Sequence, residues 1–147
     1  MSHFLIYISL ISILFKSSDG LFNLIGNDQY VTVTGRLICD GQPAENVLVK
    51  LYEDGTVWDT KLDSVRTAFD GTFRVSGHYT KIFDMDPKIN IYHSCNHNGL
   101  CDKKLSIDIP SYAVSAGQYS YDVDRNYDIG TLNLADQFSG ETTDCIH

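Results

Sequence analysis

A chain of 147 residues with 19 acidic and 11 basic side chains carries a formal net charge of −8. The balance is unchanged without residues 1–20, which hold one lysine, Lys16, and one aspartate, Asp19. So acidic a chain has no global field to draw it to phosphate backbones, which argues against nucleic acid as a partner. At 43% hydrophobic and 20% charged, the composition is globular rather than disordered, and the length accommodates one domain.

Residues 1–20 read as a secretory signal peptide. The apolar run from Phe4 to Phe15 has the length of an h-region and is too short for a spanning helix. Ser18 and Gly20 place small residues at the −3 and −1 positions of a cleavage site. The expected mature domain covers 21–147, with no transmembrane segment and an extracellular location. Export directs the reading of the four cysteines, Cys39, Cys95, Cys101 and Cys145, toward two disulfides. Three pairings are possible. The preferred one joins Cys95 to Cys101 across a short loop and Cys39 to Cys145 across a long one, the latter worth about 4–5 kcal/mol in the chain-entropy model. No N-x-S/T sequon occurs.

The mature chain is patterned for strands. Val31, Val33, Gly35 and Leu37 alternate with Thr32, Thr34, Arg36 and Ile38, a period of two that buries one face. Asp40-Gly41 marks a turn, and Val47, Val49 and Leu51 then alternate with Leu48, Lys50 and Tyr52. Glu53 to Ser64 is polar and acidic and is expected to loop out, with Trp58 as its one large anchor. Asp70-Gly71 is a second tight turn, leading into a strand through Phe73 and Val75 that Gly77 would end. Lys81 to Asp86 connects to a strand over Lys88 to His93, Asn96 to Gly99 turns, and Leu105, Ile107 and Ile109 form another alternation before Pro110. Residues 112–121 suit a short helix or a loop, and Asp128 to Leu134 a last strand. The polar tail from Phe138 to His147 would fray unless Cys145 pins it. Six or seven short strands with turns between them, and no convincing 3.6-residue period, indicate an all-β sandwich with at most one short helix. The nine tyrosines suit half-buried strand positions with a wet hydroxyl end.

Few residue groups suggest chemistry. His93-x-Cys95-x-His97-x3-Cys101 carries zinc-type ligands, but its spacing matches no common zinc pattern and export favours disulfides. Asp122-x-Asp124-x-Asn126-x-Asp128 resembles the opening of a calcium loop, yet Tyr127 stands in place of the required glycine and Asn133 in place of the bidentate glutamate. An acidic, solvated connection is the better reading there, and for Asp84 and Asp86. No G-x-S-x-G elbow is present. Lys103-Lys104 falls short of the basic cluster that anionic lipid requires. The expectation is therefore no catalytic residue, no metal ligand set and no cofactor, with no ligand-binding residue singled out.

An ordered set of fragments resembles the nematode transthyretin-like family. They are Val31 to Ala44 (VTVTGRLICDGQPA), Val47-x-Val49-Lys50-Leu51-Tyr52, Asp70-Gly71-x-Phe73, Ser76-Gly77, Asp86 to His93 with Cys95, Cys101, Lys104 to Pro110, Asp128 to Leu134, Phe138 to Glu141, and Asp144-Cys145. The resemblance implies a transthyretin- or prealbumin-like sandwich of seven or eight strands, and secretion. It supplies no activity; proposed roles in the family are binding small apolar ligands and bridging cell surfaces. Hydroxyisourate hydrolases of related fold use a histidine in the first strand, an arginine and a closing Tyr-Arg-Gly-Ser. Tyr30 to Asp40 holds no histidine, and this chain closes Thr143-Asp144-Cys145-Ile146-His147, so that activity is not expected. The expected function is extracellular binding of a protein, lipid or small apolar ligand, with bridging or signalling at cell surfaces as one form of it. The alternatives are a carrier of small hydrophobic ligands and a hydrolase of unrecognised type.

Overall fold

A computed structural model describes residues 26–116 and 126–147. The signal peptide expected over 1–20, the carboxylates of Asp122 and Asp124, and residues 117–121 lie outside them. The described residues form ten strands: β1 (Asn27–Cys39), β2 (Gln42–Pro43), β3 (Leu48–Glu53), β4 (Thr60–Arg66), β5 (Thr72–Lys81), β6 (Pro87–His93), β7 (Asp102–Asp108), β8 (Ser115–Ala116), β9 (Tyr127–Asn133) and β10 (Thr142–Asp144). Seven of them are six residues or longer. A single 3₁₀ turn, Ser111–Ala113, is the helical element described.

Two sheets face each other. In one, β1 is central. Along one edge it pairs antiparallel with β5, from Asn27↔Lys81 to Arg36↔Thr72, and then with β2. Its other edge takes β8 at Gln29 and Tyr30 and β9, in parallel, from Val33↔Tyr127 to Ile38↔Asn133. The second sheet runs β10-β7-β6-β3-β4, all antiparallel.

The period-two pattern sets which faces meet. Val31, Val33 and Leu37 of β1, Phe73 and Val75 of β5, Val49 and Leu51 of β3, Ile89 and Ile91 of β6, and Leu105 of β7 point into one core, joined by Met85, Ile109 and Leu134. Each such side chain, fully buried, contributes roughly 1.5–3 kcal/mol. Asp40 and Gly41 both have positive φ, 49° and 82°, so β1 and β2 form a two-residue type I′ hairpin as the Asp-Gly pair predicts.

Four expectations are corrected. Thr60 to Ser64 is not loop but the first part of β4, the edge strand of the second sheet. Trp58 does not anchor inward; it is 77% exposed. β5 does not stop at Gly77, because Tyr79 continues its inward phase and the strand pairs with β1 through Lys81. The cysteines pair as Cys39–Cys95 and Cys101–Cys145, not as Cys39–Cys145 and Cys95–Cys101. The strand phase explains that exchange. Ile89, Ile91 and His93 are buried on the inner face of β6, and Cys95 continues that phase to pack against the core, where β1 brings Cys39 from the other sheet. Cys101 then meets Cys145, which lies next in register beyond Asp144↔Asp102 on the β10–β7 pair.

The register also separates the two ends of the sandwich. Asn27↔Lys81 and Glu53↔Pro87 lie at one end, whereas Cys39, His93 and both disulfides lie at the other.

Candidate binding groove

At the end away from the disulfides, the β3–β4 connection (54–59) and the β5–β6 connection (82–86) stand side by side and enclose an open groove of about 530 Å³. Its walls are Val57, Trp58, Tyr79 and Phe83, with Gly55, Thr56, Thr60 and Thr80 between them and Glu53 and Lys81 at its base. Val57, Trp58 and Phe83 are each 77% exposed, and Ile82 is also exposed. Large apolar side chains crowded together in solvent oppose the hydrophobic effect and mark a surface made for contact.

Buried polar side chains hold both connections in place. Gln29, 5% exposed on β1, donates from Nε2 to the Phe83 carbonyl at 2.8 Å and accepts the Met85 N–H at Oε1, 2.7 Å away. Met85 itself is fully buried, so the chain on either side of it cannot drift. Glu53, 2% exposed, takes the Asp86 N–H at 3.0 Å through Oε2 and the Lys81 ammonium through Oε1. That carboxylate holds the Lys81 ammonium above its ordinary pKa of 10.5. The Asp54 N–H donates to the Asp86 carbonyl at 2.8 Å, joining the two connections directly. On the Trp58 side, Lys88 lies 2.7 Å from Asp59 and 3.5 Å from Asp54. Its hydrogen bond lowers the Asp59 carboxyl below the ordinary 3.8. The loop closes so tightly that a Cβ on Gly55 would sit 2.1 Å from the Trp58 carbonyl oxygen.

The groups singled out in the sequence fall elsewhere. His93 lies at the disulfide end with its side chain 1% exposed. Its Nδ1 accepts the Cys95 N–H at 3.2 Å, which puts the ring proton on Nε2, donated to Glu141 at 2.8 Å. Glu141 also lies 3.6 Å from Lys103. This is a histidine–carboxylate pair with both ring nitrogens engaged, no hydroxyl among its partners and little access for substrate, so it cross-links the β9–β10 connection to the second sheet. His97 turns away, its Nε2 donating to the Cys101 carbonyl at 2.8 Å. With both sulfurs in disulfides, the His-Cys-His-Cys run does not converge. Asp128 accepts the Gly130 N–H at 2.8 Å, forming the bulge by which β9 shifts register against β1. Asp84 and Asp86 are exposed; Asp86 adjoins the groove through its N–H on Glu53, whereas Asp84 faces a separate pocket lined by Gln29, Tyr112 and Ala116. Among the described residues no three His, Cys, Asp or Glu side chains are grouped to hold a metal, and no helix is long and apolar enough to cross a membrane.

Sequence reasoning missed the groove although a signal was present. Val57-Trp58 and Ile82-Phe83 are adjacent apolar pairs in otherwise polar connections. Both connections bend at these pairs, at 56–58 and at 82–83, and leave all four side chains exposed.

Comparison with known proteins adds a family. A family profile described as the transthyretin-like family matches residues 34–110, a span that includes both connections of the groove. Transthyretin-like protein 5 of Caenorhabditis elegans is 43% identical over 130 residues, covering 86% of this chain and 91% of the relative. Transthyretin-like protein 33 of the same nematode is 37% identical over 123 residues, covering 81% of this chain and 83% of the relative. Transthyretin-like protein 1 is 34% identical over 134 residues, covering 84% and 83%.

Proposed function

Starting from a chain that belongs to the transthyretin-like family, we propose a secreted binding protein that captures a protein partner outside the cell through the Trp58–Phe83 groove. One observation carries this reading: exposed aromatic side chains on connections that buried Gln29 and Glu53 hold fixed. Tryptophan and tyrosine dominate interface hot spots, and a contact surface that is ordered before binding loses less entropy on association. The apolar leader at 4–15 and the two disulfides support export.

The test is to express the chain with its leader in a secretory cell line and collect the oxidised product. It is then applied to intact cells and arrayed extracellular proteins beside a Trp58→Ala/Phe83→Ala variant. The reading expects release into the medium with cleavage after Gly20, and saturable capture that the double variant loses. Retention inside the cell, or capture that the variant keeps, would overturn it.

The groove volume supports a second reading, a carrier of one small apolar ligand, since such sites span roughly 300–1,000 Å³. Against it stands the openness of the walls: carriers bury most of their ligand, whereas Trp58 and Phe83 face solvent.

A further inference from the structure

Resting on the binding reading above, we propose that the groove accepts a lysine- or arginine-rich segment of the partner protein, with one apolar side chain seated against Trp58 and Phe83. The charges around the groove point to that chemistry. Asp28, Asp54, Asp59 and Asp86 are all exposed around it, and Glu53 is one of its lining residues. Asp28 belongs to this ring because it accepts the hydroxyl of Thr80 on the groove wall. Opposing these five carboxylates are Lys81 and Lys88, each turned into an ion pair of the frame, and Lys61, one residue beyond the wall. Among the described residues Asp28 and Asp86 form no ion pair, although Asp86 adds to the field that holds Lys81 charged, and five carboxylates against three lysines leave the ring with an excess of negative charge.

The arrangement discriminates among occupants. A second copy would bring this ring against a chain whose own net charge is −8, and like charges brought together at an interface cost several kcal/mol. An anionic membrane surface meets the same repulsion. A neutral apolar ligand would leave the carboxylates without a role. A basic segment satisfies both features, with aliphatic or aromatic contact at the centre and ammonium or guanidinium groups at a polar rim. Arginine in particular stacks on exposed aromatic faces.

Trp58 is the single tryptophan of the chain, so its emission reports the groove directly. The probes are a short lysine-rich peptide carrying one phenylalanine, the same peptide with glutamate for every lysine, and the same peptide with alanine for the phenylalanine. Each is titrated into the oxidised full chain. The expected result is a saturable blue shift with the first peptide, binding at least about 100-fold weaker with the second, and about 10-fold weaker or more with the third.

Raising the salt from about 0.1 M to about 1 M shortens the screening length from about 10 Å to about 3 Å. It should weaken the first peptide at least about tenfold. Asp86→Asn should weaken it as well, because it removes a rim carboxylate without touching an aromatic wall. Equal affinity for the glutamate peptide, indifference to salt, or no binding of the lysine peptide at low salt overturns the inference. So does a Trp58 shift produced equally by anionic vesicles or by concentrating the chain alone. If the peptides fail while Trp58→Ala/Phe83→Ala still abolishes cell-surface capture, only the charge preference falls. If capture is also insensitive, the binding reading falls with it.

Discussion

Replacing Gln29 with alanine removes the clamp that fixes the Phe83 connection, and the structure sets the size of the effect. Two short hydrogen bonds are lost, to the Phe83 carbonyl at 2.8 Å and from the Met85 N–H at 2.7 Å, together with a long one to the Lys81 carbonyl at 3.5 Å. The two orphaned groups do not fare alike. Phe83 is exposed, so its carbonyl can turn to water, while the Met85 N–H lies behind a fully buried side chain. A neutral hydrogen bond contributes about 1 kcal/mol, and a buried donor left without a partner costs about 1–3 kcal/mol. The expected destabilisation is therefore about 2–4 kcal/mol, a fall of roughly 10 °C in the unfolding midpoint for a domain of this size. Gln29→Met separates hydrogen bonding from volume, because it fills the space without restoring either bond and should recover little of the loss. Gln29→Glu retains an acceptor for Met85 but sets carboxylate oxygen against the Phe83 and Lys81 carbonyls, so it should be at least as damaging as alanine. Urea unfolding at constant m-value gives the energies, and exchange of the Met85 amide gives the local opening. Alanine and methionine variants both within about 0.5 kcal/mol of the parent, with Met85 still protected, would refute the clamp.

Other outcomes follow from the same structure. The disulfides close separations of 56 and 44 residues, for which chain entropy gives nearly equal values of about 4 kcal/mol each. Cys39→Ser/Cys95→Ser should nevertheless cost more in thermal unfolding than Cys101→Ser/Cys145→Ser. The first bond joins the two sheets and the second only pins the three-residue β10, whose release should appear as proteolysis of the last residues. Gly71→Ala should cost at least about 3 kcal/mol in denaturant unfolding, since its φ is +84° and a Cβ would lie 2.2 Å from the Leu37 carbonyl oxygen, a backbone atom with no freedom to yield. Gly41→Ala, at φ +82° in open space, should cost only about 1–2 kcal/mol. Asp59 has a folded pKa below 3.8 and Lys88 one above 10.5, each through the hydrogen bond to the other. The brace is therefore complete between those values, is lost in acid as pH falls through the folded pKa of Asp59, and is lost in alkali as pH rises through that of Lys88. Trp58 fluorescence anisotropy should drop below pH 3.8, and Asp59→Asn should start from the low value and show no such step; the same step in both proteins would mean that the Asp59–Lys88 pair does not brace the loop.

The legible part of the fold was the part governed by a strict period of two. β1 and β3 each bury one side of a clean alternation, and the Asp40-Gly41 and Asp70-Gly71 pairs punctuate as their conformational preferences require. β4 was not legible because its pairing with β3 slips between Leu51 and Tyr52, leaving Leu62 as the extra residue. The slip breaks the period just where a short edge strand most needed it. Asp63, opposite Leu51, is charged for a reason invisible to periodicity: its Oδ2 takes the N–H of Ser76 on the neighbouring β5. The disulfide pairing failed for the opposite reason. Chain distance favoured the nearest cysteines, whereas the inward phase of β6 had already committed Cys95 to the other sheet. Gln29 and Glu53 were not legible at all, because their partners lie 54 and 33 residues away and a glutamine or glutamate on a strand normally means an outward face.

The two ends of the sandwich depend on different forces, so the groove should respond differently to reduction and to loss of its polar clamps. At the disulfide end, covalent bonds and the His93–Glu141 pair hold the β1–β2, β6–β7 and β9–β10 turns against one another. At the groove end, among the described residues, no disulfide is involved. The aromatic walls are held by Gln29, Glu53 and Lys88, whose partners all belong to β1, β3, β5, β6 and the two connections. Strands continuous between the ends would transmit loss of the whole fold but not release of β10, which among the described residues pairs only with β7, itself one strand removed from β3. Breaking Cys101–Cys145 alone should therefore leave the exposure of Trp58 unchanged, whereas Gln29→Ala, with every disulfide intact, should disturb the groove. A groove that loosens when β10 is freed would mean that the polar clamps do not hold it by themselves.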